Sequence, residues 1–172
     1  MTPAVRARRV FLVVAVLAFG VVVVLTAALE PWLRRGPVDL GVLSLRLGFN
    51  PGISFSLGSD LPSWAITAGT AVVVGLLAFA AWRVTRTAAA PGQVGWGLVL
   101  AGAAANVIDR GIDGVVTDYF FTGWFPTFNA ADVLITTGVV LLLLDSLRTP
   151  PAEPTEPDPT NPDPGSDAEE SR

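Results

Sequence analysis

Long apolar runs separated by short polar stretches dominate the chain. Residues 10–29 read VFLVVAVLAFGVVVVLTAAL, in which Thr26 is the only polar side chain. That run is long enough to cross a bilayer core of about 30 Å as a helix. Three further runs have the same character. Residues 61–82 are apolar apart from small hydroxyls, residues 94–110 open on a Gly- and Ala-rich stretch, and residues 131–147 are dominated by Val and Leu. Gly95, Gly97, Gly102 and Ala103–Ala105 suit the third run to close helix packing. The pattern predicts a membrane all-α fold, a bundle of four transmembrane helices. A soluble all-α protein with buried helices is the competing reading, and a cleaved signal peptide is the competing reading of the first run. The first run is longer than the roughly 7–15 residues of a signal core.

Between the first two runs the period changes. Val38-Asp39-Leu40 and Leu43-Ser44-Leu45-Arg46-Leu47 alternate apolar and polar side chains, the signature of a strand with one covered face. A small extracytoplasmic β-sheet platform is expected there, supporting a peptide or, as pattern alone favours, capping the bundle. Residues 149–172 end the apolar pattern altogether, with seven prolines and almost no apolar side chains. The chain thus divides into a membrane body, 1–148, and a disordered acidic Pro-rich tail, 149–172, that cannot bury enough surface to fold.

Charge sharpens this picture. The net charge of −4 is segregated, with −6 in the tail and +2 in the body. Arg6, Arg8, Arg9, Arg83, Arg86 and Arg148 flank the apolar runs on one side, against Arg34, Arg35, Arg46 and Arg110 on the other. The bias puts both termini in the cytoplasm. No Lys and no basic stripe argues for a nucleic-acid partner.

The chain also has no Cys and no His. Thiol nucleophiles, Ser-His-Asp triads, imidazole-ligated metals and Schiff bases are therefore excluded. No metal or other cofactor is expected. An enzyme built from these residues must move protons with carboxylates. Asp109, Asp113, Asp118 and Asp132 cluster between the third and fourth runs. Asp132 opens the fourth run, and Asp118 stands inside the apolar run Gly114-Val115-Val116-Thr117-Asp118-Tyr119-Phe120-Phe121. Acids at a hydrocarbon edge are costly and mark function. Taken singly, each has a bland explanation: Asp132 as a first-turn acid favoured by the helix dipole, Asp118 as a partner of Arg110. Taken together, two close carboxylates share one proton and can run aspartic-protease chemistry.

At this point the residues resemble a known family. Asn50-Pro51-Gly52-Ile53-Ser54-Phe55 is similar to the Asn-x-Gly-Ala-Ala-Phe block of lipoprotein signal peptidase, or signal peptidase II. Asn106-Val107-Ile108-Asp109-Arg110 and Val115-Val116-Thr117-Asp118-Tyr119 resemble its Asn-Leu-Ile-Asp-Arg and Val-Val-Asp-Phe blocks, and Phe128-Asn129-Ala130-Ala131-Asp132 its Phe-Asn-x-Ala-Asp block. The resemblance implies an intramembrane aspartyl endopeptidase that cuts before the diacylglyceryl-modified Cys of a prolipoprotein, near the extracytoplasmic face of the cell membrane. It implies catalytic Asp118 and Asp132, with Asn50, Gly52, Asn106, Arg110 and Asn129 binding substrate or supporting the dyad. Asp109 would stabilise the end of the third run. Expected partners are diacylglyceryl-prolipoproteins and membrane lipids, with a monomer as the default state. Thr26 and Glu30 stand where the family usually has Asp and Lys, Ile53-Ser54 replaces two alanines, and Ala105 replaces a glycine. A non-catalytic membrane homologue or scaffold, and a small proton-coupled carrier, stay open as alternatives.

Overall fold

The computed structural model describes residues 3–52 and 61–148. The Ile53-Ser54-Phe55 part of the Asn50 block and the tail lie outside the described residues. Along the chain run α1 (Pro3–Leu33), β1 (Val38–Asp39), β2 (Ser44–Asn50), α2 (Ser63–Val84), α3 (Ala90–Asp113), β3 (Val116–Phe121) and α4 (Ala130–Arg148). The four apolar runs all become helices, and α1 and α3 extend past the runs that announced them.

Three helices are long and apolar enough to cross a membrane by length and composition, in α1, α2 and α4. Their outer faces carry exposed apolar side chains, such as Val16, Val24, Val72, Leu76 and Leu143. So broad an apolar surface marks contact with lipid rather than water. The third helix differs. At 24 residues it is about 36 Å long, yet its composition is that of an interior helix. It buries Gly92, Gly95, Gly97, Val99, Ala101, Gly102 and Ala105 and packs on α1, α2 and α4.

Glycines let the backbones meet. A Cβ at Gly138 would lie 2.6 Å from the Gly95 carbonyl oxygen and 2.7 Å from Val99 Cγ2. A Cβ at Gly102 would run into the Ala131 carbonyl, and one at Gly97 would lie 2.9 Å from Val14 Cγ1. Close backbone approach replaces the hydrophobic effect as the cohesive force between helices in lipid. Val22, Ala105 and Ala131 join α1, α3 and α4 in a small core, flanked by Phe19 and Leu134. At the far end, the Arg8 guanidinium stacks 4.1 Å over Trp82 and ties α1 to α2.

The alternating segments form β1 and β2, with a third strand that alternation did not announce. The sheet order is β1-β2-β3, antiparallel throughout. Val116, Thr117, Asp118 and Tyr119 are all buried in β3, so this strand has no polar face and no period of two. Its β-branched and aromatic composition, bounded by Gly114 and Gly123, was the available signal. The β2–β3 pairing slips by one residue between Leu45 and Gly48, so that Arg46 and Leu47 face Tyr119 as a bulge.

The glycine contacts give a test. Gly138→Ala should lower the detergent-solubilised protein's thermal midpoint, equivalent to about 1–3 kcal/mol of overpacking. Gly75→Ala, where a Cβ meets nothing within 4 Å, should leave the midpoint unchanged or raise it. Intrinsic tryptophan fluorescence during a thermal ramp reads both.

Candidate active site

The site is assembled where α3 ends, β3 passes and α4 begins. Gly114 stops α3 in the left-handed conformation at φ 89°, with its N–H on the Arg110 carbonyl at 2.8 Å. Ser63 Oγ, at the start of α2, donates to the Gly114 carbonyl at 3.0 Å. The chain then turns into β3, and Asp109 on α3 accepts the Thr117 N–H at 2.6 Å. Asp109 therefore pins the strand to the helix. Asp118 follows, 2% exposed.

Beyond β3 the loop doubles back. Phe120 and Phe128 form an antiparallel bridge, with N–H to carbonyl distances of 2.8 and 3.1 Å. The fold-back delivers Asn129 to the start of α4 as its cap. Asn129 Oδ1 accepts the Asp132 N–H at 3.1 Å while Asp132 Oδ2 accepts the Asn129 N–H at 3.0 Å. This is a reciprocal capping arrangement that satisfies amides no helical carbonyl can reach. Asp132 is thus a first-turn acid, as its position suggested, but that uses one oxygen only.

The other oxygen enters a side-chain network. Asn106 Nδ2 donates to Asp132 Oδ1 at 3.0 Å. Asn129 Nδ2 donates to Asn106 Oδ1 at 3.1 Å and to Asp118 Oδ1 at 3.0 Å. Two amides thereby bridge two carboxylates contributed by different elements. The Asn50 side chain also lies close enough to act on the Asp118 carboxyl, and Asn50 Oδ1 holds the Gly52 N–H at 3.0 Å. Arg110 spends its hydrogen bonds on backbone rather than on Asp118: it donates to the Asn50 carbonyl at 3.4 Å and to the Gly52 carbonyl. Its charge remains close enough to Asp118 to act on it. All seven residues singled out in the sequence accordingly lie in or beside one network.

Burial pushes the Asp118 carboxyl up to about 7, and the neighbouring Asp132 charge pushes the same way, against the Asn129 hydrogen bond and the nearby Asn50 side chain. A carboxyl poised there changes its charge near neutrality. Among the described residues no group of three or more His, Cys, Asp and Glu is placed to hold a metal.

Both carboxylates face a cleft of about 820 Å³ between α2 and α4, with Asn106 and Arg110 on its floor. Its walls are apolar: Ile66, Val73 and Leu77 from α2, Val133 and Ile135 from α4. Sequence reasoning found the carboxylates and amides but missed Tyr119, fully buried, whose hydroxyl accepts the Ala130 N–H at 3.0 Å. An aromatic next to Asp118 was visible; the polar use of its hydroxyl was not.

Known proteins resemble the chain in sequence and fold. The family model described as signal peptidase (SPase) II matches residues 10–148. A lipoprotein signal peptidase from Rhizorhabdus wittichii is 37% identical over 76% of this chain and 86% of its own length. One from Sinorhizobium fredii is 33% identical over 80% of this chain and 84% of its own. The match to the Rhodococcus jostii protein of that name, at 39% identity, spans only about half of that relative, 54%. A solved structure described as a bacterial membrane enzyme, at 23% identity, superposes with a TM-score of 0.70 over 80% of this chain and 87% of the other, so the fold is shared. Matched by that family model over nearly all of its described length, the protein belongs to the signal peptidase II family.

Proposed function

We propose that the protein is an intramembrane aspartyl endopeptidase that removes signal peptides from diacylglyceryl-modified prolipoproteins, cutting before the lipidated Cys. One observation carries the reading: two carboxylates from different elements, joined by the Asn106 and Asn129 amides, face an apolar cleft between helices. The relatives' shared name, lipoprotein signal peptidase, supplies the substrate class. Asp118 and Asp132 are the dyad; Asn50, Gly52, Asn106, Arg110 and Asn129 bind substrate or hold the dyad.

Asp118 carries the proton and Asp132, receiving N–H groups from Asn106 and Asn129, is the base. Water adds to the scissile carbonyl as Asp132 takes one of its protons and Asp118 gives its own to the carbonyl oxygen. The gem-diol then collapses: the C–N bond breaks, Asp132 passes its proton to the leaving nitrogen, and Asp118 regains one from a diol hydroxyl. The apolar walls suit the lipid part of the substrate, whose burial is favourable without a directional contact.

In this reading α3 crosses the membrane as the fourth helix, shielded from lipid by the other three. The body is residues 1–148, working as a monomer among lipids, with 149–172 an acidic Pro-rich cytoplasmic tail. Arg8, Arg9, Arg83 and Arg86 mark the cytoplasmic end. Trp32, Trp64 and Trp124 mark the other, where aromatic rings collect at the headgroup level. The site then lies near the extracytoplasmic face.

Three results are expected. Asp118→Asn and Asp132→Asn, at matched folded amounts, should each lose at least about a thousandfold in cleavage of a purified diacylglyceryl-prolipoprotein, the scale of losing a paired acid and base. Cleavage persisting in either variant refutes the dyad. Second, kcat/KM should fall as pH rises through about 7, where Asp118 gives up its proton. The folded state holds that proton after the unfolded chain has lost it, so the native fold loses stability between about 4 and 7. Asp118→Asn should therefore melt higher than wild type at pH 8. Third, because the chain lacks Cys, single substitutions report topology. Ala88→Cys should resist a membrane-impermeant thiol reagent in intact cells, and Gly123→Cys should react.

A further inference from the structure

The carboxylates are held by α3, β3 and α4, and α1 contributes none of the seven residues assigned above. One buried hydroxyl nevertheless links α1 to them. Successive residues of a strand face opposite ways, so while Asp118 faces the cleft, Tyr119 turns into the protein, where it is 0% exposed. Its oxygen accepts the N–H of Ala130, the first residue of α4, at 3.0 Å. The Thr26 side chain of α1 lies close enough to act on the same hydroxyl. With a lone pair given to Ala130, the phenolic hydrogen is free to turn toward Thr26.

The place of this contact gives it a catalytic consequence. Ala130 lies between Asn129, which touches both Asp118 and Asn106, and Asp132. The Asn129 cap already satisfies the Asp132 amide. The Ala130 amide is a separate orphan donor whose acceptor is Tyr119. Thr26 also lines a second pocket of about 180 Å³, together with Asn106 and Asn129. The bulge of β2 faces Tyr119 from the sheet side.

We propose that Tyr119 and Thr26 are positioning residues: the Thr26–Tyr119–Ala130 chain fixes the first turn of α4 against α1, and so sets where Asp132 and Asn129 stand relative to Asp118. The inference rests on the dyad reading. Removing the phenolic oxygen leaves the ring packed but strands the Ala130 amide, and the turn that carries the base then gains freedom. Such a defect slows the chemical step without weakening substrate binding, because neither residue reaches the cleft.

The test uses full-length protein in one lipid–detergent system at matched folded amounts, with Asp118→Asn as reference. Tyr119→Phe should lower kcat about tenfold, the rate equivalent of one buried hydrogen bond, with KM within about twofold. Thr26→Val should lower kcat by about threefold, and Thr26→Ser, which keeps the hydroxyl, should restore it. The double variant should be no slower than Tyr119→Phe alone, as expected for two links of one chain. Hydrogen exchange in peptides covering residues 129–133 should be faster in both Tyr119→Phe and Thr26→Val than in wild type. A wild-type kcat in Tyr119→Phe, a rise in KM alone, multiplying losses in the double variant or unchanged exchange would each overturn the proposal. Cleavage by Asp118→Asn would overturn the dyad reading instead, and the exchange measurement, which needs no catalysis, would still decide whether the anchor exists.

Discussion

A helix that begins inside a protein brings amides that no helical carbonyl can satisfy. The fold solves this at the start of α4 with the Asn129 side chain, whose oxygen takes the Asp132 N–H while its nitrogen serves Asp118 and Asn106. Helix start and carboxylate pair are consequently one structure. Asn129 arrives there because the Phe120–Phe128 bridge folds the preceding loop back on β3. Asp118 arrives because Asp109 pins the strand next to it. Much of the surrounding architecture serves to bring this amide and these two acids to one place.

That requirement explains the composition of α3. A helix carrying Asn106, Asp109 and Arg110 in its C-terminal turns would be costly facing lipid. It is instead surrounded by α1, α2 and α4, and the glycines that admit those neighbours lower its apolar content further. The helix with the polar side chains is the one that needs shielding, and small residues let the shield close. Asn106 is one turn from Gly102, so the close approach of α3 and α4 also keeps Asn106 within reach of Asp132.

How far the sequence revealed this follows from what each feature depends on. Four apolar runs announced helices, three of which are long and apolar enough to span a membrane, and the period-two stretch announced β1 and β2, because lipid and a one-sided sheet each impose a local pattern. β3 escaped because a strand buried on both faces has no alternation to show. The acids and amides were visible as polar groups at an apolar edge and through their similarity to a family. Their connections were not, since Asn106, Asp118, Asn129 and Asp132 meet only after a helix stop, a strand and a fold-back. Arg110 shows the limit: its charge suggested a carboxylate partner, yet its geometry serves the carbonyls of Asn50 and Gly52. Tyr119 shows it again, because nothing local tells a packed ring from a ring whose hydroxyl holds a helix.

The cleft lies between α2 and α4, and α2 leans chiefly on α3. Its walls are aliphatic side chains, so on the proposed reading a lipidated substrate arrives at the carboxylates by lateral diffusion in a sheet rather than through bulk water. The concentration that governs such a catalyst is the number of substrate molecules per unit of membrane area. Diluting a preparation with buffer leaves that quantity untouched, whereas adding inert lipid or detergent lowers it. Saturation is then expressed as a surface mole fraction, and crowding of the bilayer becomes a kinetic variable in its own right.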